Sequence, residues 1–101
     1  MSLNNVINKL WISLKVFQTV STDLFTEEDL FKVKMIAWQA FCRLSHENRK
    51  IILALLKGET TKNVARKYGH TEENIYKIKS LAYQKIIKFI KQRETRNLGH
   101  G

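Results

Sequence analysis

Proline is absent from this chain of 101 residues, and glycine occurs only 4 times. Both residues break helices and form turns, so their scarcity argues against a turn-rich β architecture and favours long, uninterrupted helices. The length allows one domain, and a hydrophobic content of 44% can support one modest core. The sequence therefore predicts an all-α domain of about four to five helices.

Cysteine occurs once, at Cys42, which excludes an internal disulfide and a cysteine-based zinc cluster. Because Cys42 falls in an apolar helical stretch, we expect a buried, unreactive thiol. His46 and His100 have no carboxylate or cysteine partner at metal-ligand spacing, so no metal is expected. The chain also lacks a glycine-rich phosphate loop, a nucleophile elbow and paired carboxylates with a histidine. We therefore expect neither an enzyme nor a cofactor.

Long apolar runs are missing as well. None approaches the ~18 residues of a membrane span, and the N-terminus lacks the basic start and apolar block of a signal peptide. We therefore expect a soluble, cytoplasmic protein with no membrane partner.

Acidic residues are scarce relative to basic ones. The chain has 9 Asp/Glu against 18 Lys/Arg, which gives a net charge of +9. Residues 51–101 hold 11 basic and 4 acidic residues, a net of +7, whereas residues 1–50 have 7 and 5, a net of +2. This imbalance indicates a polyanionic partner that meets the second half of the chain.

The segment 61–80, TKNVARKYGHTEENIYKIKS, has the residue types that a helix-turn-helix requires. Gly69 follows the first helix, where a left-handed turn favours glycine, and Thr71 can cap the second helix. The apolar positions of the helix crossing are Val64, Ala65, Ile75 and Ile78. An ordinary helical hairpin remains the alternative interpretation. The basic charge around the motif favours nucleic-acid binding.

Apolar periodicity and capping signals divide the chain into five helices. They are expected at about residues 3–20, 26–44, 46–57, 61–68 and 72–93. We assign residues 1–24 to an N-terminal amphipathic dimerisation helix, 26–93 to a helix-turn-helix DNA-binding domain, and 94–101 to a flexible tail.

The helix at 26–44 has two neighbouring apolar stripes. The first consists of Leu30, Val33, Ala37, Ala40, Phe41 and Leu44; the second consists of Phe31, Met35, Trp38 and Cys42. A helix that is apolar on so much of its surface should be covered on two sides. We expect the helix-turn-helix on one side and helix one on the other, from the same chain or from a second subunit.

From Leu44 to Ile90 the chain resembles the DNA-binding module shared by region 4 of bacterial sigma factors and the LuxR-type response regulators. The likeness is carried by Leu44, Arg49, the run 51–56, Lys57, Gly58, Val64, Ala65, Thr71, Ile75, Lys77, Lys85 and Ile86. Asn48 and Asn63 depart from it, because glutamate is usual at both positions. The length leaves no room for sigma region 2 or a receiver domain. The resemblance therefore implies a small autonomous transcriptional regulator at the bacterial nucleoid, comparable in size to the short repressors of plasmids and phages.

In this geometry the second motif helix lies in the major groove of double-stranded DNA, with its N-terminal residues at the base edges. Helical spacing gives five candidates for base reading: Glu73, Tyr76, Lys77, Ser80 and Gln84. Glu73 can accept from cytosine or, like Glu72, favour the positive helix N-terminus, and both readings stay open for Glu73. Candidates for phosphate contacts are Thr60, Thr61, Lys62, Arg66, Lys67, Thr71, Lys79, Tyr83 and Lys88. We expect His70 to be a packed, neutral turn residue.

Leftover apolar surface predicts a homodimer with helix one as its main contact. The candidate dimer residues are Leu3, Ile7, Leu10, Trp11, Leu14, Phe17, Trp38, Ile87 and Ile90. The alternative is that helix one and the last helix close over each other inside one subunit. A different function class also stays open, in which a region-4-like module binds RNA polymerase or an anti-sigma-type partner.

Overall fold

The computed structural model describes residues 2–18 and 26–98, with side chains up to residue 93. These residues form five helices and no strand, so the predicted all-α fold class is confirmed. The helices are α1 (Leu3–Phe17), α2 (Glu27–Cys42), α3 (His46–Leu56), α4 (Thr61–Tyr68) and α5 (Glu72–Leu98).

A hydroxyl side chain caps the N-terminus of each of the last four helices. The Oγ atoms of Thr26, Ser45, Thr60 and Thr71 accept the backbone N–H of the third following residue at 3.1, 3.2, 3.1 and 3.0 Å. At α2 the carboxylate of Asp29 also accepts the backbone N–H of Thr26, which completes a capping box. These local bonds explain why the helix starts were predicted within one residue.

The helix ends differ more from the prediction. α5 continues past Arg93 to Leu98, although a flexible tail was expected from residue 94. No glycine or proline occurs between Glu72 and Leu98, so nothing in the sequence stops the helix there. α1 ends at Phe17, whereas about residue 20 was expected. Residues 19–25, between the first two helices, and the tail residues 99–101 with His100 lie outside the described residues.

The larger core consists of residues from α1, α2 and α5, together with Ile52 of α3. Its fully buried side chains include Leu10 of α1, Phe41 of α2 and Ile86 of α5. The first apolar stripe of α2 faces this core, because Val33, Ala37, Ala40 and Phe41 are all buried in it.

Six of the nine predicted dimer residues are buried inside the same chain, so the prediction is wrong for those six. The apolar stripe of helix one is buried in this way, and α5 contributes its own flank to the same core. The buried residues are Ile7, Leu10, Trp11, Leu14, Ile87 and Ile90. Among the other dimer candidates, Leu3 and Phe17 are exposed and Trp38 is half-buried. The alternative, closure within one subunit, is the observed arrangement.

The second apolar stripe of α2 is not covered as expected. Phe31 is 64% exposed, Met35 and Trp38 are half-buried, and the thiol of Cys42 lies at the surface. The expectation of a buried Cys42 is therefore wrong. The reason is geometric: α1 and α5 both pack on the first stripe, which leaves the neighbouring face open.

Tyr83 was a candidate for a phosphate contact, and that prediction is wrong. The side chain is only 1% exposed, and its hydroxyl lies 2.7 Å from Ser13 Oγ of α1. The ring of Phe17 also meets it edge to face at 5.5 Å. Tyr83 therefore joins α5 to α1. Burial raises the pKa of Tyr83 above its ordinary value, and the hydrogen bond from Ser13 opposes part of that rise.

The Ser13–Tyr83 pair gives a stability prediction. We expect Ser13→Ala to lower the free energy of unfolding by about 1–3 kcal/mol, because it leaves a buried hydroxyl without a partner. Adding Tyr83→Phe should restore part of that loss. The raised pKa means that the contribution of neutral Tyr83 is complete below the unfolded value of 10.0 and is lost as pH rises through the folded-state pKa. Urea unfolding at pH 7 and above pH 10 measures both effects; a double variant less stable than Ser13→Ala would contradict the pairing.

Candidate nucleic-acid interface

A smaller core fixes α4 and α5 against α3. It consists of Ile51 and Ala54 of α3, Val64 and Ala65 of α4, and Ile75 of α5. Val64 and Ile75 are completely buried, and the small side chain of Ala65 lets α5 cross close to α4. Two helices packed on a third in this way form a rigid base for the outer face of α5.

Gly69 makes the turn between the two helices, as the sequence predicted. Its backbone has φ 72° and ψ 35°, the left-handed region, and its N–H donates to the carbonyl of Ala65. A Cβ at this position would meet no atom within 4 Å, so the requirement for glycine is conformational and not one of space.

His70 links the turn to both neighbouring helices. Its Nε2 lies 2.7 Å from Glu47 Oε1 of α3, and its Nδ1 lies 2.7 Å from Asn74 Nδ2 of α5. Because the amide of Asn74 donates to Nδ1, the proton of a neutral imidazole is on Nε2 and points to Glu47. The expectation of a packed turn residue agrees with this half-buried position.

The outward face of α5 carries exposed side chains along its first four turns. Glu73, Lys77 and Gln84 are exposed, Ser80 is half-buried, and Tyr76 is 60% exposed. The structure therefore places the five base-reading candidates on or beside one continuous face, which runs ~16 Å from Glu73 to Gln84.

Leu81 belongs to the same face and was missed. It is 51% exposed and follows Lys77 by one helical turn. The signal was available in the sequence, because the spacing that selected Lys77 and Gln84 also selects position 81. Leu81 therefore adds an exposed apolar side chain to a face whose neighbouring residues are mostly polar.

Two local arrangements shape this face. The Nε2 of Gln84 donates to Ser80 Oγ at 3.2 Å, which orients the amide along the helix. At the start of α5, Thr71, Glu73 and Lys77 line a shallow depression of about 380 Å³ beside Gly69 and His70.

The phosphate candidates fall into two groups. Thr60, Lys62, Arg66, Lys67 and Thr71 are exposed around the ends of α4 and the start of α5, with Thr61 half-buried beside them, and Lys88 is exposed farther along α5. Lys79 differs, because it is half-buried and its ammonium lies 5.6 Å from the ring centre of Tyr83. Positions 77 and 79 point about 200° apart on a helix, so Lys79 lies away from the outward face.

Comparison of the chain with protein-family models, curated proteins and solved structures finds no match. The resemblance to sigma region 4 and the LuxR-type regulators therefore stays a prediction. In the described part of the chain, no helix is both long and apolar enough to cross a membrane. Those same residues contain no group of three or more His, Cys, Asp or Glu side chains able to hold a metal ion.

Proposed function

We propose that this protein is a sequence-specific DNA-binding transcriptional regulator that inserts the first turns of α5 into the major groove. The observation that carries the proposal is the outward face of α5, which presents polar side chains from a helix braced by α3 and α4. A B-DNA major groove is ~12 Å wide and admits one helix. The net charge of +7 in residues 51–101 supplies the attraction to phosphate.

The chemistry of each side chain suggests its role on the face, and Ser80 orients Gln84 through the hydrogen bond between them. Lys77 donates to guanine O6 and N7, and the Gln84 amide pairs with adenine. Tyr76 and Leu81 contact apolar base edges. Glu73 either accepts from cytosine N4 or only favours the helix N-terminus. Phosphate contacts come from hydroxyls and cations at Thr60, Thr61, Lys62, Arg66, Lys67, Thr71 and Lys88.

A pair of copies would read a pseudo-palindromic site. Two-fold symmetry places two recognition helices ~34 Å apart, on successive turns of the same side of the duplex. We therefore propose a homodimer on DNA, as either a repressor or an activator.

The first experiment selects binding sequences from random duplexes and then measures affinity for the selected and a scrambled duplex at several salt concentrations. We expect a clear preference and a steep negative log–log slope, since the four cationic contacts of each copy in the proposed dimer together lower affinity by ~10⁴ between 50 and 200 mM salt. No preference with a shallow slope would refute DNA recognition and favour a protein partner.

The second experiment separates base contacts from phosphate contacts. Lys77→Ala should cost about 1–3 kcal/mol on the selected duplex and relax the preference at one position, whereas Lys62→Ala should weaken all duplexes alike and reduce the salt slope by ~1. Lys9→Ala, an exposed position on α1, is the charge-matched control and should change neither quantity. If Lys77→Ala weakens all sequences equally, Lys77 is a phosphate contact and not a base reader.

A second candidate function is a module that binds RNA polymerase or an anti-sigma-type partner. The observation that favours it is the exposed second stripe of α2, which an isolated DNA-binding domain has no need to display.

A further inference from the structure

The second stripe of α2, called the seam below, has the residue spacing of a helix–helix interface. Phe31, Met35, Trp38 and Cys42 are separated by four, three and four residues, the alternation found at the a and d positions of a coiled coil. The larger core holds the first stripe and is contacted by Trp38, but the other three residues of this face lie outside that core. A partner helix that follows the same alternation would fit it.

Trp38 anchors this seam in a fixed orientation. Its indole stacks on the buried ring of Phe41 at 4.9 Å with an interplanar angle of 22°, so only part of the ring remains free. A neighbouring groove of about 370 Å³ between α1 and α2 is lined by Phe31 and Met35 together with Ile7 and Leu30. Four polar or charged side chains complete the lining, so the concave surface beside the apolar stripe is mixed in polarity.

The two ends of α2 carry opposite charges. Its first turn carries Glu27, Glu28 and Asp29, all exposed. Its last turn leads to Arg43, whose guanidinium lies 4.9 Å from the ring centre of Phe89, and Arg93 lies 5.0 Å from the same centre. In the described residues neither guanidinium pairs with a carboxylate. Only an antiparallel copy of α2 brings the acidic end to the basic end twice.

We propose that the second stripe of α2 is the dimer interface, occupied by the same helix of a second copy in antiparallel orientation. Two-fold pairing about the middle of the stripe sets Phe31 against Cys42 of the second copy and Met35 against its Trp38. Glu28 then lies within about 3 Å, along the helix axis, of the level of the second copy's Arg43. This inference rests on the proposed function for the role of the dimer, which is to bind DNA. The pairing of the two helices itself requires no DNA.

The test is sedimentation equilibrium of the full chain without DNA, over a range of protein concentration. A monomer of 11.9 kDa should associate to a dimer. Phe31→Glu and Trp38→Glu should each raise the dissociation constant at least tenfold, with unchanged helical circular dichroism. Val16→Glu is the matched control, because Val16 is 83% exposed on α1 and lies outside the seam, and it should leave the constant unchanged. A wild-type chain that stays monomeric, or equal effects of all three variants, would overturn the proposal.

Charge exchange tests the orientation. Glu28→Arg and Arg43→Glu should each weaken the dimer severalfold, and the double variant should recover it. Both changes disfavour the α2 helix dipole, so only pairing between copies explains recovery. Failure of the double variant to recover would exclude the antiparallel arrangement.

A cross-link gives an independent measurement. In the Phe31→Cys variant, oxidised glutathione should join the new thiol to Cys42 of the second copy. The two positions are ~16 Å apart along one helix, so they cannot bridge within one chain. Val16→Cys should give little cross-linked dimer, and equal yields from the two variants would contradict the seam. A separate titration of each variant with a duplex that holds one half-site measures DNA binding by the monomer. A loss of dimerisation can then be distinguished from a loss of DNA binding.

Discussion

Leu10→Ala should lower the free energy of unfolding by about 2–5 kcal/mol, because Leu10 is completely buried between α1, α2 and α5. For a domain of this size the melting temperature should fall by ~10 °C or more. The same loss of unfolding free energy should be seen when Leu10→Ala is combined with Phe31→Glu, because the proposed dimer does not form in that variant. Thermal unfolding followed by circular dichroism measures it.

The control is Ile12→Ala on the same helix. Ile12 is well exposed, so its truncation should change stability by less than ~0.5 kcal/mol. If Leu10→Ala instead left the monomer stably folded, Leu10 would not belong to the core of its own chain. α1 would then be free to contact a second subunit, as the sequence indicated. The pair therefore distinguishes an intrachain core helix from a dimerisation arm.

Two adjacent residues of α5 should separate stability from DNA binding. Ile75→Ala should cost about 2–5 kcal/mol of stability, since the side chain fills the crossing of α3, α4 and α5. Tyr76→Ala should leave stability within ~0.5 kcal/mol, because most of its side chain is in solvent. It should nevertheless weaken binding to the selected duplex.

Urea unfolding and duplex titration of both variants measure this separation. The Ile75→Ala protein is titrated at low temperature, where enough of it is folded to compare affinity per folded molecule. A Tyr76→Ala variant that binds the selected duplex as tightly as wild type would remove Tyr76 from the interface. A stable Ile75→Ala variant would contradict the packing of α5 on α3 and α4.

Local signals in the sequence predicted the helix starts to within one residue. The hydroxyl caps at Thr26, Ser45, Thr60 and Thr71 bond to a backbone group three residues away, so neighbouring residues are enough to recognise them. The left-handed turn at Gly69 is equally local. The outward face of α5 follows from helical spacing alone, and Leu81 was missed by omission and not for lack of a signal.

Tertiary packing decided which apolar surfaces became core. Both stripes of α2 are equally apolar in sequence, yet α1 and α5 cover only one of them, and Cys42 lies on the other. Tyr83 carries a polar group, which in sequence suggested a phosphate contact, but its hydroxyl meets Ser13, 70 residues earlier in the chain.

The sequence by itself determined where the helices start, the Gly69 turn and the uneven basic charge, because each depends on residues close together in the chain. Only the tertiary structure decided that α1 folds back on α2 and α5 and that one face of α2 stays open. Periodicity shows that a helix face must be buried, but it does not say against what, since burial lowers the free energy of any apolar pair alike.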